Sequence, residues 1–183
     1  MGYNNNPHQI MIDWYKKGED SYNTGNEFET FIYLWISWVV ACKIHLGNNR
    51  HINSIVQKDM DDRKIIVDWC KQNSDKVLEL IVVNINTLGA LKNRFGSYFN
   101  NPIVDASSIL QEKFKNLQGY LNGNYEYIDN KDLAADLAEL INKVRNNLFH
   151  GGKSYDNRED MFLIKSLLAI MKDLTQFAVE ECH

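Results

Sequence analysis

Two prolines in 183 residues, Pro7 and Pro102, constrain this chain more than any other feature. Proline breaks helices because it lacks an N–H and its ring clashes with the preceding turn. So few breakers leave room for long helices, and the apolar residues recur at helical spacing rather than in alternation. The periodicity predicts a short helix over 9–17 and a second over 27–45 that stops at Leu46, Gly47, Asn48 and Asn49. A third over 59–71 places Ile65, Ile66, Trp69 and Cys70 on one face. Ser74 is the expected N-cap of a fourth over 75–94, with Val77, Leu80, Ile81, Ile85, Leu88 and Leu91 on one side. A loop over 95–104, a helix over 106–117 and a polar, turn-rich stretch over 119–130 follow.

Asp129 or Asn130 can cap the next helix, in which Leu133, Leu137, Leu140, Ile141, Val144 and Leu148 recur at helical spacing. The last helix, over 157–181, carries Phe162, Leu163, Ser166, Leu167, Ile170, Leu174 and Phe177 as its stripe. Residues 1–8 are expected to be loosely ordered. No segment reads as a strand, and no internal repeat or long heptad run stands out. The expectation is one domain over 1–183, an all-α up-and-down helical bundle with additional short helices.

The length suffices for a sizeable core, and 44% apolar with 24% charged residues is ordinary for a globular chain. A net charge of −4 and a pI of 5.7 argue against a broad basic coat for nucleic acid. They leave room for a local basic cleft. Cys42, Cys70 and Cys182 are odd in number, far apart and without a CxxC spacing, which suits free thiols in a reducing cytoplasm. The polar, Asn-rich start has no signal-peptide pattern. The greasiest run, FIYLWISWVVAC over 31–42, is short for a bilayer span and reads as a buried core helix.

Few other residues suggest chemistry. His45 and His51 are six apart and lack a third metal ligand; Asp59, Asp61 and Asp62 read as an acidic helix start. Glu180, Glu181, Cys182 and His183 lie at a frayed end. Trp14, Trp35, Trp38 and Trp69 sit on apolar helices and are expected to anchor the core. No Walker A, GxGxxG or GxSxG pattern is present, so neither cofactor nor metal is expected.

The stretch that does suggest chemistry is RNNLFH over 145–150, followed by Gly151, Gly152 and Lys153. Arg145 supplies a planar, permanently charged fork suited to phosphate. His150 supplies an imidazole that titrates near neutrality. As bare residues they also fit a solvated helix face and a C-terminal cap.

Arg, a polar residue, a short gap and then His, at the end of an amphipathic helix and before another long one, resembles the HEPN superfamily. The resemblance covers chiefly residues 129–177. It implies a helical bundle whose motif faces its copy across a homodimer cleft, and metal-independent RNA cleavage. Arg145 would stabilise the phosphorane, and His150 would handle the proton of the 2′-hydroxyl or of the leaving oxygen. Asn146 would touch ribose or phosphate, and Lys153 the RNA backbone. Both also fit solvated positions. A toxin or defence effector with an antitoxin partner is the expected setting. HEPN toxins regulated by tyrosine modification carry a Tyr two residues after the His, whereas here Gly152 stands there and the nearest Tyr is Tyr155.

In an ideal helix Arg145 and His150 would point about 140° apart. Convergence requires the helix to loosen at its end, or two copies to meet. A non-catalytic RNA- or nucleotide-binding module, or a dimeric interaction module, is the alternative reading of the same residues.

Overall fold

The computed structural model describes residues 6–49, 61–91, 114–126, 128–149 and 158–182, and among them the regular structure is helical throughout. The helices are α1 (Pro7–Asn23), α2 (Glu27–Asn49), α3 (Asp62–Gln72), α4 (Ser74–Val83), α5 (85–91), α6 (Lys115–Leu121), α7 (Asn130–Phe149) and α8 (Arg158–Glu180). The all-α bundle expected from the periodicity is the fold observed.

Boundaries differ where one local interaction outweighs a punctuation signal. α1 starts at Pro7, inside the stretch expected to be loose, because the Asn6 side chain accepts the His8 N–H at 3.1 Å. Proline at the first helical position sacrifices no hydrogen bond. Residues 1–5 lie outside the described residues. α2 runs through Gly47 instead of stopping before it. An interior glycine costs about 1 kcal/mol, less than the gain from burying Leu46, 6% exposed on the same turn.

The helix expected over 75–94 is divided at Asn84. The Asn84 N–H and Nδ2 both reach the Leu80 carbonyl, at 3.1 and 2.9 Å, and Nδ2 also donates to Asp173 Oδ2 of α8 at 2.8 Å. A side-chain amide competing for helix carbonyls ends the turn. Ser74 is the first residue of α4 rather than its cap. Asn73 holds the cap position, and its amide closes α3 by donating to the Trp69 carbonyl at 2.9 Å. Of the helix expected over 106–117, residues 106–113 lie outside the described residues. α6 instead extends to Leu121, into the stretch expected to be turns. Its start is held from α7, where Asp136 Oδ2 accepts the N–H groups of Asn116 and Leu117 at 2.8 and 3.1 Å.

α1 and α2 form an antiparallel hairpin across residues 24–26, in which Gly25 takes φ 75°. Gly18 sits tightly against Leu34, and Ser37 Oγ donates to the Met11 carbonyl at 2.9 Å. α8 lies parallel to α2, tied by Lys165–Glu27 at 3.0 Å and by Thr175 Oγ1 reaching the Leu34 carbonyl at 3.4 Å. α3 packs antiparallel to α7.

Trp35, Trp38 and Trp69 are at most 2% exposed. Trp38 stands edge-on to both others, with centroids at 5.7 and 6.3 Å. The core role expected of these three holds. Trp14 is instead only half-buried, beside Tyr33 and under Lys17.

The 21-residue stretch of α2 over Glu27–Gly47 is long and apolar enough to cross a membrane by length and composition. The twelve-residue run therefore understates this helix. In the bundle its face bearing Phe31, Leu34, Trp38 and Cys42 is buried, and the helix packs against α1, α3 and α8.

Candidate functional site

α7 builds the site from its N-terminus upward. Asp129 Oδ1 accepts the Lys131 N–H at 2.7 Å and starts the helix. Leu133, Leu137, Leu140, Ile141 and Val144 are then buried at helical spacing, which fixes the rotation of α7 about its axis. That rotation buries Asn142 and leaves Arg145 and Asn146 half-buried at the edge of the core.

The Arg145 side chain has contacts with at least two described residues. Nη1 donates to Asn146 Oδ1 at 2.9 Å, and Cζ lies over the Trp35 ring of α2, 5.6 Å from its centroid. Neighbouring residues on a helix do not face each other, so the bond requires the arginine to bend sideways across its own helix. A guanidinium only donates, so the amide oxygen of Asn146 must face it and the two N–H bonds of Nδ2 are left for another acceptor. A cation within about 6 Å of an indole centroid gains roughly 0.5–2 kcal/mol, more as water is excluded. Trp35 is 2% exposed, so the ring beneath the cation is a fixed part of the core. The result is a permanent cation and an amide donor side by side at the edge of the core.

Arg145 and Asn146 are thus brought together. His150 and Lys153 lie outside the described residues. α7 is helical through Phe149, so any loosening that turns position 150 toward Arg145 falls beyond that residue.

Several of the remaining chemical candidates have structural partners. Asp61 caps α3 by accepting the Arg63 N–H at 3.2 Å, and Asp62 pairs with Lys43 at 2.8 Å. His45 stands edge-on to Trp69, with centroids at 6.4 Å. His51, Asp59 and His183 lie outside the described residues. The three cysteines are unbridged; Cys42 and Cys70 are buried, and burial pushes both thiols well above their usual range. Cys182 Sγ donates to the Ala41 carbonyl at 3.4 Å. Among the described residues no group of three or more His, Cys, Asp or Glu side chains is placed to hold a metal ion.

Sequence reasoning treated Trp35 as a core anchor alone and missed its contact with Arg145. No local pattern signals that contact, because it joins the second helix to the seventh. Comparison with protein-family models, curated proteins and solved structures finds no match to this chain.

Proposed function

We propose that this chain is a HEPN-like endoribonuclease that works in the cytoplasm as a homodimer, without a metal ion. The observation that carries the reading is the Arg145–Asn146 pair near the C-terminal end of α7, bonded at 2.9 Å, with His150 directly following the helix in sequence. In this reading the motifs of two copies face each other across a twofold axis, which answers the divergence of positions 145 and 150 on one helix.

The ribose 2′-oxygen attacks the adjacent phosphorus while the bond from phosphorus to the 5′-oxygen breaks. The products are a 2′,3′-cyclic phosphate and a 5′-hydroxyl. His150 takes the 2′-hydroxyl proton or delivers a proton to the departing 5′-oxygen. Arg145 faces the charge that builds on the phosphorane oxygens, and such a preorganised donor is worth about 3–4 kcal/mol in comparable sites. Asn146 offers Nδ2 to a phosphate or ribose oxygen beside it. DNA lacks the 2′-hydroxyl and is not a substrate for this reaction.

The test is cleavage of a mixed tRNA and single-stranded RNA pool in EDTA by wild type, Arg145→Ala and His150→Ala, with circular dichroism and sedimentation on each protein. The expected result is cyclic-phosphate ends from wild type alone, with helicity and dimer mass unchanged in both variants. Equal cleavage by all three overturns the site assignment. RNA binding without cleavage by wild type transfers the reading to a non-catalytic RNA-binding module.

A further inference from the structure

The functional reading assigns a role to Arg145 but none to the residue beneath it. We infer that Trp35 is a positioning residue for Arg145, its ring face meeting the guanidinium whose Nη1 donates to Asn146. The inference rests on the reading of Arg145 as the phosphate-facing group, but its geometric core stands on α2 and α7 alone.

Three observations combine. Cζ of Arg145 lies 5.6 Å from the Trp35 centroid, within the range where a ring attracts a cation. Trp35 cannot drift, because it is 2% exposed and held edge-on by Trp38, centroids 5.7 Å apart at an interplanar angle of 82°. The Nη1 bond to Asn146 Oδ1 adds a directional contact to the same guanidinium. The ring attracts the cation to one of its faces, and the acceptor draws an N–H of the same guanidinium to one side.

An arginine has many rotamers in water, and fixing one of them costs conformational entropy. Paying that cost during folding leaves the cation oriented before RNA binds. The rest of the bundle thereby acquires a part in the chemistry. α2 carries Trp35, and α1, α3 and α8 pack around α2.

The experiment has a structural arm and a kinetic arm. The structural arm uses the wild-type protein, so no variant has to fold: nuclear Overhauser contacts are sought between the Arg145 side chain, assigned by triple-resonance spectra of labelled wild type, and the Trp35 ring protons. Contacts together with an upfield ring-current shift are expected. An Arg145 side chain with the shifts of a free arginine overturns the inference, whatever the enzyme does.

The kinetic arm compares Trp35→Phe, which keeps a ring face, with Trp35→Leu, which removes it, and with Trp69→Leu, which opens the same core away from Arg145. Trp35→Leu is expected to lower kcat about tenfold or more with KM little changed, since misplacement of a transition-state donor acts on kcat. Trp35→Phe is expected to restore most of the rate. Loss of rate in step with the folded fraction, shared by both leucine variants, overturns the positioning role and leaves Trp35 as core. A wild type that makes the Arg145–Trp35 contact yet cleaves no RNA refutes the ribonuclease reading and leaves the positioning intact.

Discussion

Arg63 of α3 and Glu139 of α7 meet as a forked ion pair, with Arg63 Nε 2.7 Å from both carboxylate oxygens and Nη2 on the same carboxylate. The pair ties the motif helix to its antiparallel neighbour. Their exposures differ, 45% for the Arg63 side chain and 16% for that of Glu139. An exposed pair contributes little, commonly under about 1 kcal/mol, but a forked geometry raises that value. A double-mutant cycle with Arg63→Met and Glu139→Gln is expected to give a coupling of about 1 kcal/mol in urea unfolding. Arg63→Met is the costlier single change, because it strands the more buried charge. Raising NaCl to about 1 M should shrink the coupling. A coupling within error of zero would show that the pair does not hold α3 to α7.

Asp136 gives the fold a pH dependence whose sign follows from its surroundings. It is 7% exposed, and burial pushes its carboxyl up to about 6. The backbone N–H groups of Leu117 and Asn116 pull the other way, and the charge of Asp132 adds to the rise. The folded state therefore holds this proton more tightly than the unfolded chain does. The resulting stabilisation is fully present below the unfolded value near 3.8 and is lost as pH rises through about 6. At neutral pH the ionised group stands at most about 3 kcal/mol less favourably than in acid. Asp136→Asn keeps an acceptor for both N–H groups and removes the charge. Its melting temperature should gain on wild type between pH 4.5 and pH 7.5. A difference between the two proteins that does not change with pH would contradict the assignment. Asp136→Ala should cost about 1–3 kcal/mol in acid, because two N–H groups at the start of α6 lose their acceptor, and less as pH rises, because it also removes the unfavourable buried charge.

Two helical glycines make opposite predictions. A Cβ on Gly18 would lie 2.8 Å from Leu34 Cδ2, 3.0 Å from Cγ and 3.4 Å from the Leu34 backbone nitrogen. A Cβ on Gly89 in α5 meets nothing within 4 Å. Replacing a helical glycine by alanine gains about 0.5–1 kcal/mol where space allows. Gly89→Ala should therefore raise the free energy of unfolding by that much, read from urea denaturation. Gly18→Ala must push Leu34 away from the α1–α2 crossing. Overpacking costs about 1–3 kcal/mol, so the net change is a loss. If Gly18→Ala stabilises, Leu34 has a second rotamer that the crossing tolerates.

The helices were legible because burial follows apolar spacing: Ile65, Ile66, Trp69 and Cys70 are all within 2% of full burial, as one face of α3 demands. Their ends were less legible. Gly47 reads as a stop and Asn84 as an ordinary helix residue, yet the first is overruled by packing of Leu46 and the second is recruited by Asp173 from α8. Both outcomes depend on residues remote in sequence or on burial that spacing only partly predicts. The site divides in the same way. Arg145 and Asn146 are adjacent and visible as a pair. Trp35 is invisible to the motif because it meets Arg145 only after α2 and α7 have both packed on α3.

Asn146 has two ends, and substitution can separate them. Its Oδ1 accepts from Arg145 at 2.9 Å, which leaves Nδ2 to donate. Asn146→Asp preserves the acceptor, strengthens it with charge, and removes the donor. Asn146→Ala removes both. If Asn146 serves only to orient the guanidinium, the aspartate variant should cleave RNA nearly as well as wild type and the alanine variant about tenfold more slowly. If Nδ2 also contacts phosphate, the aspartate variant should be the slower of the two, because a carboxylate beside an anionic substrate repels it. The second order is expected here. Arg145 already has the Trp35 indole as a second contact, and the amide donor lies beside the guanidinium that the phosphate would meet. Cleavage rates of the two variants at low and high salt decide between the orders. Repulsion by a carboxylate weakens as salt rises, whereas a missing donor does not return.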